Sequence, residues 1–525
     1  GMVTENIYNE HGQLTATVEA AGTAFERRSE RSYDEAGRLV ATINSRGNET
    51  RYHHDVLNRL VSTEDALGNA GLTSYDIAGR RISRKDREDN ETSFVYDQKR
   101  DWLKETHRPD GSVTRSEYNV AGQRVAAIDP LGRRTEFEFD AAGRMIKRRR
   151  YLDGRPLETV YEFDEAGNRT EVIDEAGRRT EYVFDELNRL IETRKPSPDG
   201  SSPRPVIRRH YDELGRLSTL TKANGATWRF GYDSLGRMVW EEDPLGHRST
   251  YKHDLNGNVT EKVDPKGQVT KYTYDVLNRL VRVNYDDGQW AEISQDSEGN
   301  ITGIIGSTGS STVTISKTFD ELNRVESITN VSLQRELEYG YTPSGRRSKL
   351  TVRNLLDGSE KTTDFVWDEM GRIARIWPWT GNTIQYSYKL DGSRDTVQLP
   401  NGLTLNHSFD SLGRLIEMSY ENTQSQQVAI FRYTLDDAGN RLSLKDNEGL
   451  STFAYDRLDR LVEASYPDGS WEKFKMDASG NRVRHESPEG VTDYHLDQGD
   501  RLLSTSGADP ATYTWDANGN LLGKT

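Results

Sequence analysis

A short unit that recurs at a fixed period constrains the fold of this chain more than any other feature. In the copy at residues 270–280, Tyr272 and Tyr274 alternate with polar residues, which is the period-two pattern of a half-exposed strand. Asp275 and Asn278 follow. Asp opens turns by accepting hydrogen bonds from nearby backbone N–H groups, and Asn tolerates a positive φ. The unit therefore predicts a strand, a tight turn and a second strand.

The turn Asp returns in steps of 21 residues over long stretches, as at Asp34, Asp55, Asp76 and Asp97. Most copies have Gly three residues after the Asp, where others have Asn, and either residue suits a left-handed position. A sustained period of this length is typical of a repeat architecture. The predicted structural turn residues include Asp34, Gly37, Asp55, Asn58, Asp212, Gly215, Asp275, Asn278, Asp410 and Gly413.

Three copies of the unit carry a resemblance to a known family. Residues 33–39, 211–217 and 409–415 read YDEAGRL, YDELGRL and FDSLGRL. They closely resemble the YD repeat, also called the RHS repeat, and the resemblance covers essentially the whole chain. The family includes bacterial Rhs polymorphic toxins, the cocoon-forming subunits of insecticidal Tc toxins, and teneurins. The resemblance implies β-hairpins wound side by side into a hollow shell, which in the toxins encloses a C-terminal effector.

The predicted fold class is all-β, with tandem antiparallel β-hairpin repeats in one long meander wound into a spiral. The result is either a hollow shell or an open superhelical sheet. A hydrophobic content of 33% is too low to fill a solid interior. Charged residues also occur on both faces of the strands. Residues 1–2 are interpreted as a tag scar. Residues 3–525 are predicted to form a single continuous array that stops within a repeat at Thr525.

Each repeat also contains a second turn, between the Asp-x-x-Gly turns. Its length varies, with insertions at residues 195–205, 306–312 and 421–427, and these insertions are expected to crowd one rim and leave the other smooth. The rings of the strand before each Asp turn are expected to stack into two aromatic columns. An Arg follows many of the Gly or Asn positions, four residues after the Asp, and predicts a ladder of charge pairs along the rim.

Composition excludes several classes of function. The formal net charge of −15 and the pI of about 5.3 disfavour nucleic acid as a partner. The absence of cysteine excludes disulfides and thiolate metal sites. No apolar run approaches the roughly 20 residues of a membrane span, so no membrane insertion by this segment is expected. No targeting signal is visible in this segment. A secreted or cell-surface bacterial location is therefore expected only because the resemblance to the family implies it.

Few side chains are candidates for chemistry. His53 and His54 are adjacent on a strand and point to opposite faces, which disfavours a metal site. Trp377 and Trp379 form a speculative binding platform, for which core packing or rim covering is the competing interpretation. The Asp-Pro-x-Gly-Leu motif, at which Rhs toxins cleave themselves, has no match here. The sequence therefore predicts no catalytic residue, no metal, no cofactor and no enzyme activity.

Two hypotheses for function remain. The first is a non-catalytic structural shell that encloses or carries a toxin, with an encapsulated C-terminal effector or cargo protein as the partner in the full-length chain. The second is an extracellular recognition or adhesion surface that binds glycans or protein partners through exposed aromatic residues and rim loops.

Overall fold

A computed structural model describes residues 3–525 as one antiparallel meander of 48 strands. Each strand pairs with the strand before it and the strand after it in sequence, without a crossover. The expected tag scar at residues 1–2 lies outside the described residues. The predicted all-β meander is confirmed.

The strands are β1 Thr4–Tyr8, β2 Leu14–Glu19, β3 Arg27–Tyr33, β4 Leu39–Ile43, β5 Glu49–His54, β6 Leu60–Glu64, β7 Ala70–Tyr75, β8 Arg81–Lys85, β9 Glu91–Tyr96, β10 Leu103–His107, β11 Val113–Tyr118, β12 Arg124–Ile128, β13 Arg134–Phe139, β14 Met145–Leu152, β15 Arg155–Phe163, β16 Arg169–Ile173, β17 Arg179–Phe184, β18 Leu190–Arg194, β19 Val206–Tyr211, β20 Leu217–Thr221, β21 Thr227–Tyr232, β22 Met238–Glu242, β23 Arg248–His253, β24 Val259–Val263, β25 Val269–Tyr274, β26 Leu280–Asn284, β27 Trp290–Gln295, β28 Ile301–Ser307, β29 Thr312–Phe319, β30 Val325–Asn330, β31 Arg335–Tyr341, β32 Arg347–Asn354, β33 Glu360–Trp367, β34 Ile373–Trp377, β35 Ile384–Tyr388, β36 Arg394–Gln398, β37 Thr404–Phe409, β38 Leu415–Glu421, β39 Gln427–Leu435, β40 Arg441–Lys445, β41 Leu450–Tyr455, β42 Leu461–Ser465, β43 Trp471–Met476, β44 Arg482–Ser487, β45 Gly490–Leu496, β46 Leu502–Gly507, β47 Ala511–Trp515 and β48 Leu521–Lys524.

The local pattern of the sequence explains each hairpin. In β25, Lys271 and Thr273 are exposed while Tyr272 and Tyr274 are half-buried, as the period-two alternation requires. The pairing of β25 with β26 shifts register just before the turn, between Thr273 and Tyr274, and the same irregularity recurs in other copies. A type I turn closed by a left-handed residue produces such a bulge, which also increases the local twist of the strands.

The sheet is a single layer. Among residues 3–525, each strand lies directly beside only its neighbours in sequence. The accessible surface of 29574 Å² is far above the roughly 19,000 Å² expected for a compact monomer of this mass. Few hydrophobic side chains are therefore buried in a common core, which agrees with the low hydrophobic content.

Edge contacts between distant residues show that the sheet winds on itself. Hydrogen bonds along one edge join residues that lie 252 to 282 positions apart. We call residues 3–274 the first winding and residues 275–525 the second winding. With about half of the strands in each winding and strands about 4.8 Å apart, one winding has a circumference of about 115 Å. A circular winding of this length would enclose a space about 37 Å across, measured between backbones.

The two windings meet through different turns. We call the Asp-x-x-Gly or Asp-x-x-Asn turns the first turns and the intervening connections the second turns. The second turns of the first winding lie against the first turns of the second winding, an interface that we call the seam. The insertion at 195–205 lies in the seam, where the Arg457 N–H donates to the Pro198 carbonyl at 2.8 Å. All three insertions lie on the second-turn edge of the sheet, as expected, and winding covers the part of that edge that belongs to the first winding.

A wound single layer predicts a large radius of gyration in solution. A compact globule of 525 residues has a radius of gyration of about 24 Å. Small-angle scattering should give a larger value and a pair-distance distribution with the broad plateau of a hollow body. A value at or below 24 Å with a single compact peak would contradict the fold.

Candidate functional site: the turn ladder and the seam

The first turn is organised by one carboxylate. In the copy that starts at Asp55, the carboxylate Oδ1 accepts the backbone N–H groups of Leu57 and Arg59, both at 2.9 Å. The Arg59 Nε donates to Oδ2 of the same carboxylate at 2.7 Å. Asp55 therefore satisfies two backbone donors and one charged donor at once, which explains its recurrence in the repeats.

The same arginine joins its hairpin to the next one. Arg59 donates from a terminal guanidinium nitrogen to the Asp76 carbonyl at 2.7 Å, and its guanidinium carbon lies 4.9 Å from the centre of the Tyr75 ring. The Tyr75 hydroxyl donates to the Leu60 carbonyl at 3.0 Å. These three contacts cross from one repeat to its neighbour, so the ladder fixes the spacing of hairpins as well as the shape of each turn.

The structure places the predicted turn residues at these positions. The residues three places after the turn Asp have a left-handed backbone, with φ of 80° at Gly37, 65° at Asn58, 81° at Gly215, 59° at Asn278 and 78° at Gly413. The carboxylates of Asp34, Asp55, Asp212, Asp275 and Asp410 each accept the backbone N–H of the arginine four residues later.

The expected aromatic columns are interrupted. The ring-bearing strands alternate with other strands and are about 9.6 Å apart, which is too far for direct ring stacking. Arginine side chains fill the gaps, as where Arg216 lies 4.8 Å from the centre of the Tyr232 ring and Arg372 lies 4.6 Å from that of Tyr388. The prediction of aromatic pairs along each column is therefore wrong for these copies, and cation–π contacts take their place.

An asparagine relay replaces the arginine in several first turns, and the sequence analysis missed it. The Asn168 side-chain amide donates to Asp164 Oδ2 at 2.9 Å and to Asn188 Oδ1 of the next first turn at 2.8 Å. Equivalent pairs join Asn258 to Asn278, Asn300 to Asn323, Asn440 to Asp459 and Asn481 to Asp500. In each pair the left-handed position of the following turn carries Asn or Asp, which supplies an acceptor that Gly lacks. This coupling is readable from the sequence as Asn after one turn and Asn or Asp in the next.

The relay predicts non-additive substitutions. Replacing Asn188 with Gly keeps the left-handed backbone but removes the acceptor for Asn168, and should lower the free energy of unfolding by about 0.5–1.5 kcal/mol. Replacing Asn168 with Arg in the same chain restores the common Arg and Gly combination and should recover most of that loss. Urea unfolding of the two single variants and the double variant measures the coupling. Simple additivity of the two effects would contradict the relay.

Hydrogen bonds within the first turns shift the acidity of their carboxyl groups. The backbone N–H of the residue four places later is the main cause of the lowered pKa of Asp34, Asp55 and Asp212. The pKa of Asp516 is lowered to about 2, chiefly by the side-chain amide of Asn520. The folded state therefore holds these protons more weakly than the unfolded chain does.

The free energy of unfolding should consequently depend on pH in the acidic range. Each of these carboxylates has a folded pKa below its unfolded value near 3.9, so its contribution is complete above pH 4 and is lost as the pH falls through the folded value. The urea midpoint should decline between about pH 4 and pH 2, and denaturation curves across this range measure it. A midpoint that stays constant or rises in this interval would contradict the role given to the turn aspartates.

The seam consists mainly of cations from the first winding and acceptors from the second. Arg133 contacts Asp391 at 2.5 Å, Arg178 contacts Asp459 at 2.5 Å, and Lys222 contacts Asp500 at 2.9 Å. Further seam contacts join Arg46 to the Asp320 carbonyl, Arg155 to Asp437, and Lys266 to Asp516. The Arg133 guanidinium also approaches Gly413 closely, so an added Cβ there would displace the end of the Arg133 side chain. The second-turn edge of the first winding and the first-turn edge of the second winding are thus joined mainly by charged contacts.

The seam can be weakened without altering a free first turn. Arg178 is only 12% exposed and contacts both Asp174 and Asp459. Arg178→Ala should cost about 1–2 kcal/mol of stability, because it leaves Asp459 without its charged partner. Hydrogen exchange at residues 456–460 should accelerate.

Arg216→Ala is the matched control for that variant, because Arg216 makes the same contact within its own turn but lies on the uncovered edge of the first winding. It should leave exchange at residues 456–460 unchanged. Equal exchange there in Arg178→Ala and the unmodified chain would contradict a closed seam.

Side chains considered for other chemistry lie apart. Trp377 and Trp379 are 40% and 57% exposed at a second turn of the second winding, beside Arg375 and Lys361. This exposure is incompatible with core packing of the rings, whereas rim covering, the other part of the competing interpretation, agrees with it. The His53 ring lies 3.9 Å from Glu64, whereas His54 Nδ1 is buried without a hydrogen-bond partner.

Residues 3–525 contain no group of three or more His, Asp or Glu arranged to bind a metal. No helix of sufficient length and hydrophobicity to cross a membrane occurs in the same range.

Comparison with known proteins identifies the repeat. The family model described as RHS Repeat matches residues 33–70, 118–156, 163–201, 211–248, 253–289 and 431–470. The chain is 29% identical over 245 residues to the tRNA3(Ser)-specific nuclease WapA of Bacillus spizizenii, a match that covers 45% of this chain and 10% of that protein. This chain therefore spans about a tenth of that relative's length.

Two solved structures share the fold. The TcdB2-TccC3-TEV crystal structure aligns with a TM-score of 0.59 and 13% identity, over 99% of this chain and 39% of that one. The Photorhabdus luminescens Tc holotoxin pore aligns with a TM-score of 0.61 and 12% identity, over 99% of this chain and 38% of that one. At these identities the likeness establishes the fold alone: a meander that resembles the shell of the Tc toxins.

Proposed function

Because the RHS Repeat family model matches six segments of this chain, we propose that it is a non-catalytic structural shell that encloses or carries a toxin or another effector. The observation that carries the proposal is the single-layer sheet closed along the seam, which surrounds space instead of filling it. A chain that served only as a flat binding surface would have no need of charged contacts between residues 258 positions apart.

The polar residues of the chain support a structural role. The turn aspartates and their arginines recur with the repeat and are occupied by hydrogen bonds to backbone and to neighbouring hairpins. A catalytic centre needs one constellation rather than many copies of it. We propose that residues 3–525 act as one continuous array, and that the effector or cargo is a C-terminal part of the full-length protein.

A bacterial secreted or cell-surface location is part of this proposal. It rests on the match to the RHS Repeat family model and on the likeness to Tc toxin structures. This chain aligns with only part of those longer chains. The nuclease activity in the name of the Bacillus relative belongs to that protein, whose length is mostly outside the match.

A protease-protection experiment tests enclosure. A linker with one protease site and a small folded reporter is attached after Thr525, and the same cassette is attached before Val3 in a second protein. The proposal expects the C-terminal site to be cut at least tenfold more slowly than the N-terminal one. Combining Arg155→Ala with Arg178→Ala should restore fast cutting by opening the seam. Equal rates at the two ends, with the seam intact, would contradict enclosure.

Recognition of glycans or proteins is the second candidate, and one observation favours it. Trp377 and Trp379 are exposed on the uncovered edge of the second winding, where an aromatic platform could stack on a sugar ring. A glycan array with the unmodified chain and the Trp377→Ala/Trp379→Ala variant measures this. Binding that the double variant loses would support recognition, whereas no binding by the unmodified chain would remove it.

A further inference from the structure

The hairpin of β11 and β12 lacks an aromatic ring that most copies of the repeat carry. In those copies an aromatic residue lies two places before the Tyr or Phe that precedes the first turn, as Tyr161 does before Phe163. We call this place the ring position. Arg169 lies between two such rings, 5.7 Å from the centre of Tyr161 and 5.6 Å from that of Tyr182. The ring position of β11 holds Ser116 instead.

The loss of this ring accompanies a recess on the same face of the sheet. Ser116, Ala127 and Thr135 lie directly opposite one another across three neighbouring strands, so small side chains form its floor. Arg124 corresponds to the arginine between the two rings, but only the Phe137 ring lies near it, at 5.5 Å. The recess has a volume of about 740 Å³, which is typical of small-molecule sites. We call it the arginine recess.

More cations than carboxylates line the arginine recess. Two of its arginines, Arg115 and Arg134, direct their guanidinium groups to the opposite face, where they pair with glutamates. Asp129 is the only lining carboxylate within residues 3–525. The arginines that remain on the side of the recess are Arg108, Arg124, Arg133 and Arg150.

Nearby carboxylates neutralise only part of this charge. Arg133 has its carboxylate partners in its own turn and in the seam. Arg150 contacts both carboxylate oxygens of Glu175, but Arg148 contacts the same carboxylate, so one negative charge faces two guanidinium groups. Two lining arginines form no ion pair and no side-chain hydrogen bond within residues 3–525, namely Arg108 and Arg124. The recess is therefore a cationic site in a chain whose net charge is −15.

We propose that the arginine recess binds a small planar anion, namely an aromatic ring that carries a phosphate group. The ring lies against Arg124 in the place that Ser116 leaves open, as Tyr161 lies against Arg169 in the complete copy. The phosphate pairs with Arg108 and accepts hydrogen bonds from the lining Ser and Thr hydroxyls. A phosphate fits better than a carboxylate because it carries a larger charge and three acceptor oxygens.

The second winding contributes to the same recess. Ser411 and Leu412, from a first turn of that winding, line it. The Asp153 N–H donates to the Ser411 hydroxyl at 2.8 Å, and that hydroxyl donates to the Asp153 carboxylate at 3.0 Å. A ligand that fills the recess therefore lies between the two windings and should stabilise the seam.

Equilibrium dialysis with phenyl phosphate at about pH 8, where the phosphate is a dianion, tests the site. Ser116→Tyr supplies the ring that most copies carry, so it should fill the recess and weaken binding at least tenfold. Arg108→Gln/Arg124→Gln should weaken binding by a similar factor, because it removes the two unpaired cations. Arg169→Gln is the matched control, since that arginine already lies between two rings, and it should leave binding unchanged. Circular dichroism checks that each variant keeps its sheet.

Two further probes separate the contributions of the ring and the charge. Inorganic phosphate and benzoate should each bind at least fivefold more weakly than phenyl phosphate, and phenyl phosphate should slow hydrogen exchange at residues 410–414. The proposal is overturned if phenyl phosphate does not bind the unmodified chain at millimolar concentrations, or if a folded Ser116→Tyr or Arg108→Gln/Arg124→Gln variant binds it equally well. Equal binding of inorganic phosphate or benzoate, or unchanged exchange at residues 410–414, would also overturn it.

Discussion

The hydrogen bonds of the turn aspartate are the interaction on which the rest of this structure depends. One carboxylate of the Asp55 type accepts two backbone N–H groups, which forms the turn, and also orients an arginine. That arginine then donates to a carbonyl of the next hairpin and lies over its tyrosine. Local turn geometry and the pairing of neighbouring repeats thus have the same cause. This explains how a chain with 33% hydrophobic residues maintains a regular sheet of 48 strands.

A single layer held by its turns has no interior to close it, so closure takes place at the edges. The seam joins two kinds of turn, and most of its ion pairs set a cation of the first winding, such as Arg178, against a carboxylate of the second, such as Asp459. Because the first turns use their carboxylates for their own backbone, the seam also draws on carboxylates outside the turn cap, including Asp437, Asp459 and Asp500. The ladder and the seam are therefore compatible on the same edge.

Sequence reasoning predicted the elements well, because their causes are local. The alternation around Tyr272 and the Asp275–Asn278 turn specify strand, turn and strand within eleven residues. The seam could not be predicted in the same way. Its register depends on how many hairpins complete one winding, which is set by the accumulated twist of the strands. No short pattern near Arg133 indicates that its partner is Asp391.

Two other differences between the sequence prediction and the structure arise from contacts between adjacent repeats. The aromatic columns were expected from strand phase alone, but another strand separates the ring-bearing strands, and arginines of the first turns fill the gap, as at Arg216 and Tyr232. The relay from Asn168 to Asn188 was visible as paired substitutions in successive repeats, but its meaning depends on knowing that the two turns are adjacent. Both cases show that one repeat is interpreted correctly only together with the next.

The most direct test of the account is a cross-link between the two windings. Asn224 and Ser479 are 255 residues apart, and the Asn224 N–H donates to the Ser479 hydroxyl at 3.1 Å. The chain has no cysteine, so Asn224→Cys/Ser479→Cys introduces the only thiols. Mild oxidation should give an intramolecular disulfide, seen as a faster band in non-reducing electrophoresis, whereas Asn224→Cys/Ser297→Cys should give none. An unchanged band for the first pair, or equal cross-linking of both pairs, would contradict a sheet wound on itself along this seam.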